Sequence, residues 1–252
     1  MKSVCLIPAR MGSSRFPGKP LATLLGLETI IHIYKRCCLC QTFERVVVAT
    51  CDQEIFDAVT AHGGEAVMTS PDHERCTDRI AEARVNLGLE LEDEDFILMV
   101  QGDEIFVTPS MTGQMIRVYE EQKCPVINLV SPLTDQGDIE GPDTVKVVAD
   151  RQGRALYFSR SPIPSDRRGR QGTVYQQTGI IGFSASFLDQ YATLMPTPLE
   201  EAESVDMLRV VEHGYQVQLV YTDQETIGID TEAELKRAEK SLAKDPLIKE
   251  YM

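Results

Sequence analysis

The feature that most narrows the folding choices is a set of short, unbroken apolar runs, each halted by a polar or turn-forming cluster. Residues 4–8 stop at Ala9-Arg10-Met11-Gly12, residues 45–50 are almost wholly β-branched, and residues 96–100 end in Gln101-Gly102-Asp103-Glu104. Runs of that length without polar alternation suit strands buried on both faces. Between them, residues 29–39, 52–62 and 77–87 carry helical spacing, the second closed by Gly63-Gly64, and residues 66–68 make a brief strand. Such alternation predicts an α/β fold, with a mostly parallel sheet covered by helices on both faces. Ligands of these sheets bind beyond the carboxyl ends of the strands. Shorter β-rich pieces at 144–149, 155–159 and 173–183, with turn signals between them, predict a small inserted antiparallel lobe over about residues 128–183. The tail returns to α/β character with a helix around 204–212, a strand at 216–221 and a helix starting near Thr231, so residues 1–252 are expected to form one domain.

Charge then limits the partners. The 252 residues carry 25 basic and 39 acidic side chains, a net charge of −14, which leaves no broad positive surface for a nucleic-acid backbone. Against that background the first twenty residues hold Lys2, Arg10, Arg15 and Lys19 and no acid, the mark of a local site for an anionic ligand. The seven cysteines are an odd, scattered set, and the chain opens on a strand where a signal peptide would have a charged and then an apolar region, so a reducing cytoplasm is expected. Cys37, Cys38 and Cys40 have no matching second pair and are expected simply to pack. No apolar run reaches the roughly 18 residues of a membrane span.

The basic loop has neither a P-loop nor a dinucleotide fingerprint. Arg10, Arg15 and Lys19 nevertheless supply fixed cations, and Gly12, Ser13, Ser14 and Gly18 supply main-chain N–H groups, a set suited to a triphosphate. Asp103 follows a buried strand and Asp230 lies between the last strand and the last helix, where two carboxylates suit Mg2+, a hard ion that takes oxygen ligands. Taken alone, Asp230 or Thr231 also reads as a helix cap.

Several stretches of the chain together resemble the 3-deoxy-manno-octulosonate (Kdo) cytidylyltransferase family. They are Ile7-Pro8-Ala9-Arg10, Ser14-Arg15-Phe16-Pro17-Gly18-Lys19-Pro20-Leu21, Gln101-Gly102-Asp103-Glu104, Met68-Thr69-Ser70-Pro71-Asp72-His73 and Thr77-Asp78-Arg79. Val145-Lys146-Val147-Val148, Ala155-Leu156-Tyr157-Phe158-Ser159-Arg160 and Gly228-Ile229-Asp230-Thr231 continue the likeness, which thus runs nearly end to end. The resemblance implies a Rossmann-like nucleotidyltransferase fold, a homodimer, and synthesis of CMP-Kdo from CTP for lipopolysaccharide or capsule. It further implies that Arg10, Arg15 and Lys19 bind the triphosphate, that Asp103 and Asp230 hold Mg2+, and that Ala9, Thr77, Arg79 and Gln101, with Ser14 in the loop, hold the nucleotide. Arg160 becomes the candidate for the acceptor's carboxylate, the other reading being an ordinary surface arginine.

The chain departs from the family where the acceptor sits. Gln177-Thr178-Gly179-Ile180-Ile181 stands for the usual His-x-Gly-Ile-Tyr, Asp206-Met207-Leu208-Arg209 for Glu-Gln-Leu-Arg, and Cys76 for a common glycine. An acceptor pocket made less polar by Ile181 and Met207, with Gln177 and Asp206 beside them, is therefore expected. Such a pocket admits Kdo, an altered octulosonate, another ulosonic acid, or a phosphonate or non-sugar acid. A protein that senses CTP without catalysis is the remaining alternative.

Overall fold

Side chains that alternate across a pleated strand give a buried strand two apolar faces, and helices must cover both. The computed structural model describes residues 1–252 apart from residues 13–15, 168, 170, 171, 225, 227 and 230. In the first half, β1 (Ser3–Ala9) runs into the basic loop and a short 3-10 turn (Lys19–Leu21), followed by the small hairpin of β2 (Thr23–Leu24) and β3 (Leu27–Glu28). Next come α1 (Thr29–Cys38), β4 (Arg45–Thr50), α2 (Gln53–Ala61), β5 (Glu65–Met68), α3 (Cys76–Asn86) and β6 (Phe96–Val100). The second half holds α4 (Pro109–Gln122), β7 (Val126–Leu133), α5 (Gln136–Glu140), β8 (Lys146–Ala149), β9 (Ala155–Ser159) and β10 (Val174–Ser184). It closes with α6 (Ala185–Tyr191), α7 (Pro198–Glu203), α8 (Met207–Glu212), β11 (Val217–Tyr221) and α9 (Glu232–Leu242).

The main sheet has the order β11-β7-β10-β6-β1-β4-β5. Pairing is parallel for β1 with β4 and β6, for β4 with β5 and for β7 with β11, while β10 runs antiparallel between β6 and β7. Cys5, Ile7, Val48, Leu98 and Val100 face one core, against Ile30 and Ile33 of α1, Met111 and Met115 of α4 and Leu242 of α9. Val4, Leu6, Val47, Ile97 and Met99 face the other, with Ile80 of α3, Phe187 and Leu188 of α6 and Leu208 of α8. The result is the expected α/β fold with a mostly parallel sheet.

The antiparallel lobe is narrower than 128–183. β7 and β10 belong to the main sheet, and only the β8–β9 hairpin leaves it, attached through β10. Periodicity reads a segment as a strand without revealing its partner, so the flanks read as part of the lobe from sequence. α4, which no sequence reading covers, begins with Thr108 accepting the N–H of Met111 at 3.2 Å and Pro109 at its first position, a start signal present in the chain.

Parallel pairing sets the site. Leu6 lies opposite Met99, so β1 and β6 end side by side. The N–H of Gly102 then donates to the Pro8 carbonyl at 3.2 Å, carrying the contact beyond the strands. Ile181, on β10, is fully buried in the second core. Ile181→Ala is expected to cost about 2–5 kcal/mol of stability, measured by urea unfolding. A loss below about 0.5 kcal/mol would mean that the side chain is not packed there.

Candidate active site

The loop after β1 is folded back on itself. Gly18 takes a left-handed conformation (φ 77°) that favours glycine, and its N–H donates to the Met11 carbonyl at 3.0 Å. The N–H of Met11 donates to Asp52 Oδ2 at 2.7 Å, tying the loop to the start of α2. Lys19 therefore reaches across to the loop after β6, where its Nζ donates to Asp103 Oδ2 at 2.9 Å. Their side chains are 13 % and 23 % exposed, so the pair is shielded yet open to a ligand.

A cavity of about 330 Å³ opens beside this pair, with Arg10, Gly12 and Lys19 on one side, Ala9 and Gln101 from the strand ends, and Cys76 and Arg79 from α3. Arg79 is buried, donating to Thr69 Oγ1 at 2.6 Å and to the carbonyls of Ser70 and His73 at 3.1 and 3.2 Å, so it braces the 69–73 loop as well as lining the cavity. Burial, reinforced by the negative charges of Asp206 and Asp103, pushes the Cys76 thiol up to about 12, leaving it protonated at neutral pH. Ser14, Arg15 and Asp230 lie outside the described residues. Next to Asp230, Thr231 caps α9 by accepting the Glu234 N–H at 3.2 Å, while Gly228 and Glu234 border the second cavity.

That second cavity, of about 250 Å³, is lined by Arg160, Gln177, Thr178 and Asp206. Gln101, Asp103 and Ser204 line both cavities, which therefore meet at the Lys19–Asp103 pair. β10 passes the junction closely: Gln101 N–H donates to the Gly179 carbonyl at 2.9 Å, and Glu104 accepts the N–H of Gly179. A Cβ on Gly179 would sit 2.7 Å from the Cβ of Gln101, so only glycine fits. Gln177 donates to Asn128 Oδ1 at 2.9 Å, which fixes its amide at the wall.

Three expected site residues do not line either cavity. Ile181 and Met207 are fully buried in the second core and line neither cavity, so the wall of the second cavity is mostly polar. The register of β10 shifts between Gln177 and Ile181, keeping Gln177 at the cavity while Ile181 packs opposite Met99. Thr77 is also buried and lines neither cavity; its hydroxyl donates to Asp206 Oδ2 at 2.6 Å. Sequence reading gave no role to Glu104, Asn128 or Glu203, whose contacts cross long stretches of chain and leave no local signal.

A family profile described as cytidylyltransferase matches residues 4–227. The chain is 39 % identical over 251 residues to a 3-deoxy-manno-octulosonate cytidylyltransferase of Thermodesulfovibrio yellowstonii, covering 96 % of this chain and 98 % of the relative. It is 38 % identical over 247 residues to an 8-amino-3,8-dideoxy-manno-octulosonate cytidylyltransferase of Shewanella sediminis, covering 97 % of this chain and all of the relative. A solved structure of a CMP:2-keto-3-deoxy-manno-octonic acid synthetase complexed with CTP superposes with a TM-score of 0.88 at 35 % identity, over 97 % of this chain and 99 % of that one.

Burial pushes the Asp206 carboxyl above the usual range, against the opposing pull of the Thr77 hydroxyl and Arg75. A raised folded value means a contribution to stability that is full below the unfolded value of about 3.9 and lost as pH rises through the folded one. Asp206→Asn removes the buried charge and is expected to raise Tm at about pH 8, with the gain fading towards about pH 4, in a thermal melt series. A Tm that falls at the higher pH contradicts the assignment.

Proposed function

Because the chain belongs to the cytidylyltransferase family, we propose that it transfers CMP from CTP to Kdo and releases pyrophosphate. The observation that carries this reading is the meeting of two cavities at Asp103, one holding Arg10 and Lys19 and the other Arg160. A triphosphate suits the first and a small acid the second. Charge and reacting atoms then converge at the shared wall.

The protein is a CTP-dependent nucleotidyltransferase, and in such reactions it works mainly by positioning and by offsetting charge. The acceptor's anomeric hydroxyl oxygen forms a bond to the α-phosphorus of CTP and releases its proton to solvent. The bond from that phosphorus to its bridging oxygen breaks, and pyrophosphate leaves with the electron pair. Lys19 and Arg10 offset the triphosphate charge, Gln101 and Ala9 bound the nucleotide, and Arg160 orients the acceptor through its carboxylate. Asp103, a carboxylate on the wall shared by both cavities, would suit a hard cation that takes oxygen ligands. We assign Mg2+ to Asp103, with Asp230 as its second carboxylate. When bound, the ion supplies further positive charge for the pyrophosphate leaving group.

The seven cysteines are all free, which supports a cytoplasmic setting, and no helix among the described residues is long and apolar enough to cross a membrane. A homodimer follows from the family resemblance alone.

Pyrophosphate release from CTP is the direct test, with Kdo set against its 8-amino relative and a panel of other 2-keto acids. Kdo is expected to give the highest kcat/KM. A higher value with another acid reassigns the acceptor, and CTP binding with no pyrophosphate from any of them overturns catalysis. Asp103→Ala is expected to lose about 3–4 kcal/mol of barrier lowering, a few hundredfold in kcat, with the fold intact by circular dichroism. Retention of more than about a tenth of the activity contradicts its role.

A further inference from the structure

Arg160 stands at the end of β9 and is held from two sides. Its Nε donates to the Glu203 carbonyl at 2.7 Å, Nη1 to the carbonyls of Pro142 and Asp143 at 2.9 and 3.2 Å, and Nη2 to the Ser204 carbonyl at 3.4 Å. All these acceptors are main-chain carbonyls, which fix the direction of the guanidinium. The Glu203 side chain grips the same segment: Oε2 accepts the Arg160 main-chain N–H at 2.8 Å, and Oε1 accepts the hydroxyls of Ser159 at 2.7 Å and Tyr157 at 3.2 Å. From the hairpin side, the buried Lys146 Nζ donates to the carbonyls of Gly141, Thr144 and Arg160 at 2.7, 2.8 and 2.6 Å. Arg160 thus lines the second cavity with Lys146 and Glu203 bonded behind it, and Asp103, Glu104, Asp143, Asp206 and Glu234 are among the other residues of that wall.

We propose that Glu203 is a positioning residue for the acceptor: by fixing the main chain and guanidinium of Arg160 from the end of α7, it sets where that guanidinium meets the acceptor's carboxylate. The proposal rests on the reading of the second cavity as the acceptor site. Burial tends to push the Glu203 carboxyl up, but the hydrogen bonds from Arg160 N–H, Ser159 and Tyr157 outweigh it and hold the group below the usual range, ionised at neutral pH. A glutamine at this position keeps the size but loses the charge and one acceptor oxygen, so it can accept from the Arg160 main-chain N–H or from the two hydroxyls but not from both sides at once. The guanidinium would then lose its fixed aim while the fold keeps its apolar contacts.

The experiment compares kcat/KM for Kdo with that for its carboxamide, in the wild-type enzyme, Arg160→Met, Glu203→Gln and Ser159→Ala. The wild type is expected to prefer the acid by about tenfold or more, the worth of a charge-assisted contact. Arg160→Met is expected to abolish the preference. Glu203→Gln is expected to cut it at least about threefold with KM for CTP unchanged, and Ser159→Ala to cut it less. A residue that only braced the hairpin would shift stability, or both substrates together, and leave the acid-to-amide ratio alone. If the wild type discriminates and Arg160→Met does not, while Glu203→Gln and Ser159→Ala both keep the full ratio, the proposal is overturned and the acceptor reading stands. A wild type that takes the amide as readily as the acid overturns both. Should Glu203→Gln fail to fold by circular dichroism, the Ser159→Ala ratio decides alone, a wild-type value overturning the proposal.

Discussion

The ion pair between Lys19 and Asp103 joins the loop after β1 to the loop after β6, and the two cavities of the site are arranged around it. A partly exposed pair of this kind contributes only about 1 kcal/mol or less to stability, so its importance lies in placement. The chain can make the contact because β1 and β6 are parallel neighbours, which brings residues far apart in sequence to one edge of the sheet. Gly102 and Gly179 let three stretches of main chain meet there, and any side chain at 179 would force β10 away from Gln101.

Electrostatics set a second constraint. A chain of net charge −14 offers a poor welcome to a nucleotide triphosphate and an acid together. At physiological ionic strength, however, charges more than about 8 Å away are largely screened, so nearby cations dominate what a ligand meets. Arg10 and Lys19 serve one cavity; Arg160, with Lys146 behind it, serves the other. Both groups are fixed by the fold: the first by the closed loop at Gly18, the second by carbonyl oxygens and Glu203.

Much of this was legible in the chain because strand ends and turn formers are local signals. Residues 45–50, 96–100 and 155–159 become β4, β6 and β9 without change of bounds, and the clusters after β1 and β6 come together as the parallel sheet predicts. The wall of the second cavity was harder to read. Whether Ile181 faces a ligand or the core depends on a register shift in β10, and whether Met207 does depends on which face of α8 packs inward. Neither can be read from residue type. The contact of Thr77 is hidden from the sequence for a similar reason, since its partner Asp206 lies 129 positions away. Glu203, which nothing in the local sequence singles out, acquires its role only when α7 is laid against β9.

If the Lys19–Asp103 pair is the junction on which turnover depends, the two side chains act as a unit rather than as separate contributors. The most direct measurement is a double-mutant cycle on pyrophosphate release, using Lys19→Met, Asp103→Asn and the double variant. The double variant is expected to lose about as much kcat as the worse single variant. Losses that multiply in full would show two independent sites and contradict a shared junction.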